Sequence, residues 1–160
     1  MEIDISNKRL EGVFDIEQHC KANGIDVEEV KELYCEYNKL TKLKGLDKLV
    51  NLKWLYCEYN KLTELDVSKL VNLEWLHCQN NQLTELDVSK LVNLESLGYS
   101  MNQLTELKGL DKLVNLVTLN GEGYKQPDKR DLILNKIDSL FKRIENVEQN
   151  IAEIKRQIRQ

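Results

Sequence analysis

Four cysteines and two histidines are the side chains in this sequence best suited to metal or redox chemistry, and their spacing argues against both. Cys20, Cys35, Cys57 and Cys78 lie 15, 22 and 21 residues apart. A zinc site or a redox dithiol pairs its cysteines about two to four residues apart. His19 and His77 bring no second ligand at a suitable spacing. Gly121-Glu122-Gly123 lacks the further glycine and the helix that a phosphate cradle requires. Serine, histidine and aspartate are scattered, with no setting that would activate a nucleophile. The expectation is therefore no cofactor, no metal and no enzymatic activity. Cysteines outside such sites are among the most buried residue types, so the four thiols read as core.

The residues suited to recognition recur instead at long, even intervals. Tyr34 and Tyr56, Glu36 and Glu58, and Tyr37 and Tyr59 are each 22 residues apart, as are Glu32 and Trp54. Trp54 and Trp75 are 21 apart, as are Tyr56 and His77. Trp and Tyr are the residue types that dominate interface energetics. His77 could also tune a contact near neutral pH.

The interval belongs to a phrase written four times. Leu33-Tyr34-Cys35-Glu36-Tyr37-Asn38-Lys39-Leu40-Thr41 returns, with variation, from Leu55, Leu76 and Leu97. A fixed period of 21 or 22 residues denotes a solenoid, whose repeats bury their apolar faces against one another. The pattern Leu-x-x-Leu-x-(Cys/Leu)-x-x-Asn-x-Leu, over about residues 30 to 120, resembles the leucine-rich repeat family. With linkers such as Leu65-Asp66-Val67-Ser68-Lys69-Leu70-Val71-Asn72, it is most similar to short bacterial internalin-like repeats. The resemblance implies an α/β-type repeat solenoid, an arc of short parallel strands, and binding rather than catalysis.

Strand alternation then sorts the side chains. In the second repeat Leu52, Leu55, Cys57 and Leu62 point inward. Asn60, stacked on Asn38, Asn81 and Asn102, is placed to satisfy buried backbone groups. The outward positions form ladders on the concave side of the arc. One reads Glu32, Trp54, Trp75, Ser96, Thr118; the next Tyr34, Tyr56, His77, Gly98, Asn120; the third Glu36, Glu58, Gln79, Ser100, Glu122. Tyr37, Tyr59, Asn80 and Met101 stand at the strand ends. The expected surface is an aromatic patch of Trp54, Trp75, Tyr34, Tyr56, Tyr59, Tyr37 and His77, edged by Glu32, Glu36, Glu58 and Glu74. Later repeats keep the core residues yet drop the aromatics, which a need for sheet stability alone would not explain. The expected function is to grip a partner protein on this patch. A stoichiometric inhibitor of a partner enzyme such as a nuclease is a second reading, and a purely structural oligomer a third.

Three segments follow. Residues 1–29 read as an N-terminal helical cap, in which Ile3 to Leu10 is a degenerate repeat with Lys8 at the asparagine position. A short helix comes next, with Asp15 as N-cap, Gln18 three residues on and Gly24 as its stop. Residues 30–127 are the solenoid, closed by Pro127. From 128 to 160 the period changes. Ile133, Ile137, Leu140, Ile144, Val147, Ile151, Ile154 and Ile158 step alternately by four and three, a heptad pattern on a helix about 45 Å long. Five stacked strands span only about 20–25 Å, so a helix packed on the solenoid would leave half its seam bare. A coiled-coil helix that joins copies of the chain through Ile137, Leu140, Ile144, Val147, Ile151, Ile154 and Ile158 is expected, with three or four strands favoured. A cap on the last repeat and a pairing with another protein's helix stay open.

The net charge is −4. Residues 1–127 carry 15 basic and 21 acidic side chains, and residues 128–160 carry 8 basic and 6 acidic. Without clustered Lys and Arg, no direct nucleic-acid binding is expected, and the acidic body favours a basic or neutral partner. No run approaches the ~18 apolar residues of a membrane span. Met1-Glu2-Ile3-Asp4 does not open a secretory leader, so the expected setting is the cytoplasm.

Overall fold

The structure is a computed structural model that describes residues 1–123 and, beyond them, Ile137, Phe141, Ile144, Val147, Gln149, Ile151 and Arg156. The chain divides into two compact units, Met1–Tyr124 and Lys125–Gln160. The strands of the first are β1 (Glu2–Asp4), β2 (Glu11–Asp15), β3 (Glu32–Tyr34), β4 (Lys39–Lys44), β5 (Trp54–Tyr56), β6 (Trp75–His77), β7 (Glu85–Asp87), β8 (Ser96–Gly98), β9 (Glu106–Lys108), β10 (Thr118–Leu119) and β11 (Glu122–Gly123). One sheet runs β1-β3-β5-β6-β8-β10-β11, parallel until the last pair. Each repeat thus adds one short strand in register with the one before. β2 pairs with β4, and β7 with β9, in two further parallel pairs past the strand ends.

The core follows from alternation. Leu33, Leu55 and Leu76 at the strand centres are fully buried, and so are Cys35, Cys57 and Cys78. The linkers close the core from the other side with Leu46, Leu49, Val67, Leu70, Val88 and Leu91. They do so through tight turns, two of them 3-10 helices at Leu46–Lys48 and Leu110–Lys112. Each of these opens on a glycine with positive φ, Gly45 and Gly109. At Gly109 a Cβ would also overlap the backbone of Ser89.

In the N-terminal segment the degenerate repeat and the short helix form as expected. Ile3 and Ile5 are buried, and β1 lies beside β3. Helix α1 (Ile16–Asn23) is capped by the Asp15 carboxylate, which accepts from the Gln18 N–H, and stops at Gly24 with φ 67. Strand β2 was not anticipated: Glu11-Gly12-Val13-Phe14-Asp15 lacks strand alternation, and its register with β4 slips between Gly12 and Val13. The end of the solenoid also differs. Asn120 (φ 52) and Gly121 (φ 84) form a two-residue hairpin, the Asn-Gly turn whose backbone matches strand twist. Strand β11 therefore runs antiparallel to β10, and neither Asn120 nor Glu122 continues an outward ladder. The Asn120 side chain instead accepts from the N–H groups of Tyr99 and Ser100.

Asparagines lock the repeats together. The Asn60 Oδ1 accepts the Leu40 N–H at 2.9 Å, and its Nδ2 donates to the Cys35 carbonyl of the preceding repeat at 2.9 Å and to Cys57 of its own at 3.2 Å. Asn38, Asn81 and Asn102 repeat the arrangement. Asn60→Ala would orphan the buried Leu40 N–H and leave the Cys35 carbonyl with the Asn38 carboxamide alone, so a loss of about 2 kcal/mol is expected by chemical denaturation. A loss below about 1 kcal/mol would show the ladder to be dispensable.

Candidate partner-binding face

Register builds the outward face of the main sheet. Glu32, Trp54, Trp75, Ser96 and Thr118 are successive cross-strand neighbours, as are Tyr34, Tyr56, His77 and Gly98. Glu2 and Asp4 extend these two rows at the N-terminal edge. The rings touch along the rows. Tyr34 stacks on Tyr56 at 5.1 Å, Tyr56 meets His77 edge-on at 5.0 Å, His77 lies 6.1 Å from Trp75, and Trp75 lies 6.5 Å from Trp54. The result is one continuous strip of five rings. Tyr37 and Tyr59 form a separate stack at 4.5 Å.

Contact among the rings covers part of them. Trp54, Tyr34, Tyr56 and His77 are half-buried, whereas Trp75, Tyr59 and Tyr37 remain 39%, 45% and 51% exposed. Tyr37 and Tyr59 are also strained. Their φ values are 55° and 54°, the left-handed region that Asn7 and Asn80 occupy at equivalent places. Asparagine tolerates that region, while other L-residues lose about 1–2 kcal/mol there. Two tyrosines thus sit where the fold would accept asparagine more readily.

Of the four acidic residues expected at the edge, Glu36 and Glu58 stand elsewhere. Glu32 accepts a hydrogen bond from the Tyr34 hydroxyl at 2.9 Å. Glu74 pairs with Lys53. Glu36 and Glu58 do not edge the patch but lie within it, half-buried between the Tyr34–Tyr56 row and the Tyr37–Tyr59 stack. The Oε2 atoms of Glu36 and Glu58, the Oε1 of Gln79 and the Nε1 of Trp54 are buried without a hydrogen-bond partner among the described residues. Burial pushes the Glu58 carboxyl above its ordinary value, and the Glu36 charge adds to this against an opposing backbone hydrogen bond. Burial, helped by the bond to Glu32, pushes the Tyr34 hydroxyl up to about 12. For His77, burial lowers the titration below its ordinary value, which favours the neutral ring near neutral pH. Its Nε2 lies 3.2 Å from the Ser96 hydroxyl.

The other candidates for chemistry are structural. The Cys35 and Cys57 thiols are buried and donate to the Tyr56 and His77 carbonyls. Burial raises all three ladder thiols, Cys78 to about 12, so the reactive thiolate is suppressed. Among the described residues, no group of three or more His, Cys, Asp or Glu side chains could hold a metal ion. No described helix is long and apolar enough to cross a membrane.

A second asparagine row was missed. Asn51, Asn72, Asn93 and Asn115 donate to the carbonyls of Glu28, Val50, Val71 and Val92. Its signal was available: Val-Asn-Leu recurs at 50–52, 71–73, 92–94 and 114–116.

Residues 72–94 match the family model described as Leucine Rich Repeat. A solved structure of the functional domain of InlJ from Listeria monocytogenes, described as including a cysteine ladder, is similar over 74% of this chain at 32% identity, with a TM-score of 0.58. The chain is a leucine-rich repeat protein. It spans 26% of the matched InlJ chain. No curated protein matches it. Leucine-rich repeat modules of this internalin-like kind are in general protein-binding and not enzymatic.

Proposed function

We propose that this leucine-rich repeat protein grips a partner protein on the outward aromatic face of its main sheet. The observation that carries this reading is the continuous strip Tyr34–Tyr56–His77–Trp75–Trp54 with the exposed Tyr37–Tyr59 stack beside it. Exposed aromatic area of this extent is characteristic of interaction surfaces. The strain at Tyr37 and Tyr59 adds support, because it opposes folding. The cytoplasm is retained as the proposed setting. Trp54→Ala/Trp75→Ala should abolish capture of a partner from source-cell lysate while the variant stays folded by circular dichroism. If each tryptophan is a hot spot, the loss is about 2 kcal/mol or more apiece. A partner retained by the double variant would remove the face from the binding role.

We propose that the C-terminal segment joins copies of the chain as a coiled coil. Ile137, Phe141, Ile144, Val147 and Ile151 are helical, and between 40% and 61% exposed within one chain. Leu140, Ile154 and Ile158 lie outside the described residues. Ile144→Asp/Ile151→Asp should convert an oligomer to monomer by multi-angle light scattering, since a charge at a heptad core position is strongly unfavourable. An unchanged mass would rule out assembly through this seam.

A further inference from the structure

The strand-end stack brings together two groups that share an oxidative chemistry. Tyr37 and Tyr59 hold their rings 4.5 Å apart and within 9° of parallel. They are 51% and 45% exposed, so an oxidant in solution reaches both phenols. Their backbones are fixed, since the Tyr37 N–H donates to the Glu58 carbonyl and the Tyr59 N–H to the Gln79 carbonyl, both at 3.1 Å. Both residues stand in the left-handed region, where asparagine serves at position 80. Strain held at a defined place points to a use other than folding. Here it sets two phenols side by side on adjacent repeats, which turns an encounter between two rings into a step within one chain.

The other oxidisable side chains are placed less well for coupling. Tyr34 and Tyr56 also stack, at 5.1 Å, but both are half-buried. The Tyr34 hydroxyl is held by the Glu32 carboxylate, and Tyr56 is packed against His77. Tyr99 is half-buried, and Tyr124 lies outside the described residues. A reactive thiol would quench a radical before two rings could join. Cys20, Cys35, Cys57 and Cys78 are all buried, and in the ladder the thiolate is suppressed. Met101, 74% exposed, takes up oxygen at its sulfur and forms no link between side chains. Trp75 has Trp54 and His77 as ring neighbours, neither of them a phenol.

We propose that Tyr37 and Tyr59 are a site of oxidative modification, coupled by a peroxide into a dityrosine that ties the first repeat to the second. A haem peroxidase carries the oxidising equivalents from the peroxide one at a time. Each phenol gives up one electron and one proton and becomes a phenoxyl radical. The two radicals join through the ring carbons beside their oxygens, and each of those carbons then passes its hydrogen to the oxygen to restore the phenol. One C–C bond replaces two C–H bonds. The two electrons and two protons released reduce one hydrogen peroxide to two waters. The site stands apart from the partner reading, because it needs only the strand-end stack.

The test treats the full chain, in dilute solution, with hydrogen peroxide and a haem peroxidase. Dityrosine fluorescence is followed, and the product is mapped by peptide mass after proteolysis. A linked pair of peptides carrying Tyr37 and Tyr59, lighter by two hydrogen atoms, is expected as the main dityrosine product. Tyr37→Phe and Tyr59→Phe keep the ring and remove the hydroxyl, so each should stay folded by circular dichroism and lose that product. Tyr34→Phe/Tyr56→Phe should retain it. The chain unfolded in urea should lose the preference for this pair, because the fold is what sets the rings together. No dityrosine in the folded chain, a main product that joins other tyrosines or separate chains, a product that survives in Tyr37→Phe, or the same preference in urea would overturn the assignment.

Discussion

Everything in the repeat unit depends on the buried asparagine that closes each strand. A short strand that turns back inside an apolar core leaves carbonyl and N–H groups that neither water nor a ladder partner can reach, and each orphan costs about 1–3 kcal/mol. Asn38, Asn60 and Asn81, all at least nine-tenths buried, meet that demand across the boundary between repeats. One carboxamide binds its own strand end and the preceding one. Repeat spacing, strand register and the inward course of the chain are therefore fixed together. The outer row of Asn51, Asn72, Asn93 and Asn115 repeats the device at the surface.

The same constraint creates the binding face. To aim the asparagine inward, the residue before it enters the left-handed region at 37, 59, 80 and 101. That residue is pushed out into solvent just past the strand. Asn80 suits it; Tyr37 and Tyr59 do not, yet they stand stacked there. The strand's own outward positions add the second aromatic row, and the intervening position holds Glu36 and Glu58 between the two. The face is thus a display surface whose side chains the core does not specify, and at three positions, Tyr37, Tyr59 and Met101, they oppose the fold's preference.

Much of this was legible in the sequence, for a physical reason. Leu33, Cys35 and Asn38 recur with their equivalents because the core they fill is the same in every repeat, and period-two alternation assigns their direction. Helix α1 was readable from its caps, Asp15 and Gly24. The failures have causes as well. Alternation stops at the left-handed residue, so Glu36 and Glu58 were placed at the rim although the tyrosine beyond them turns outward and encloses them. The Asn120-Gly121 hairpin was hidden because the repeat pattern was extended through it. Strand β2 has no alternation of its own and takes its conformation from β4. The ion pairs of Lys39 with Glu11 and Lys44 with Asp15 along that edge are exposed and add little.

The central claim is that the aromatic face serves a partner and not the fold. Thermal unfolding of Tyr37→Asn/Tyr59→Asn tests it most directly, because asparagine already holds the equivalent place at 80 and relieves strain at two positions while one ring stack is lost. The account predicts a Tm equal to or above that of the wild type. A Tm lowered by more than about 5 °C, the scale of 1 kcal/mol in a domain of this size, would contradict it and make the tyrosines a structural ladder.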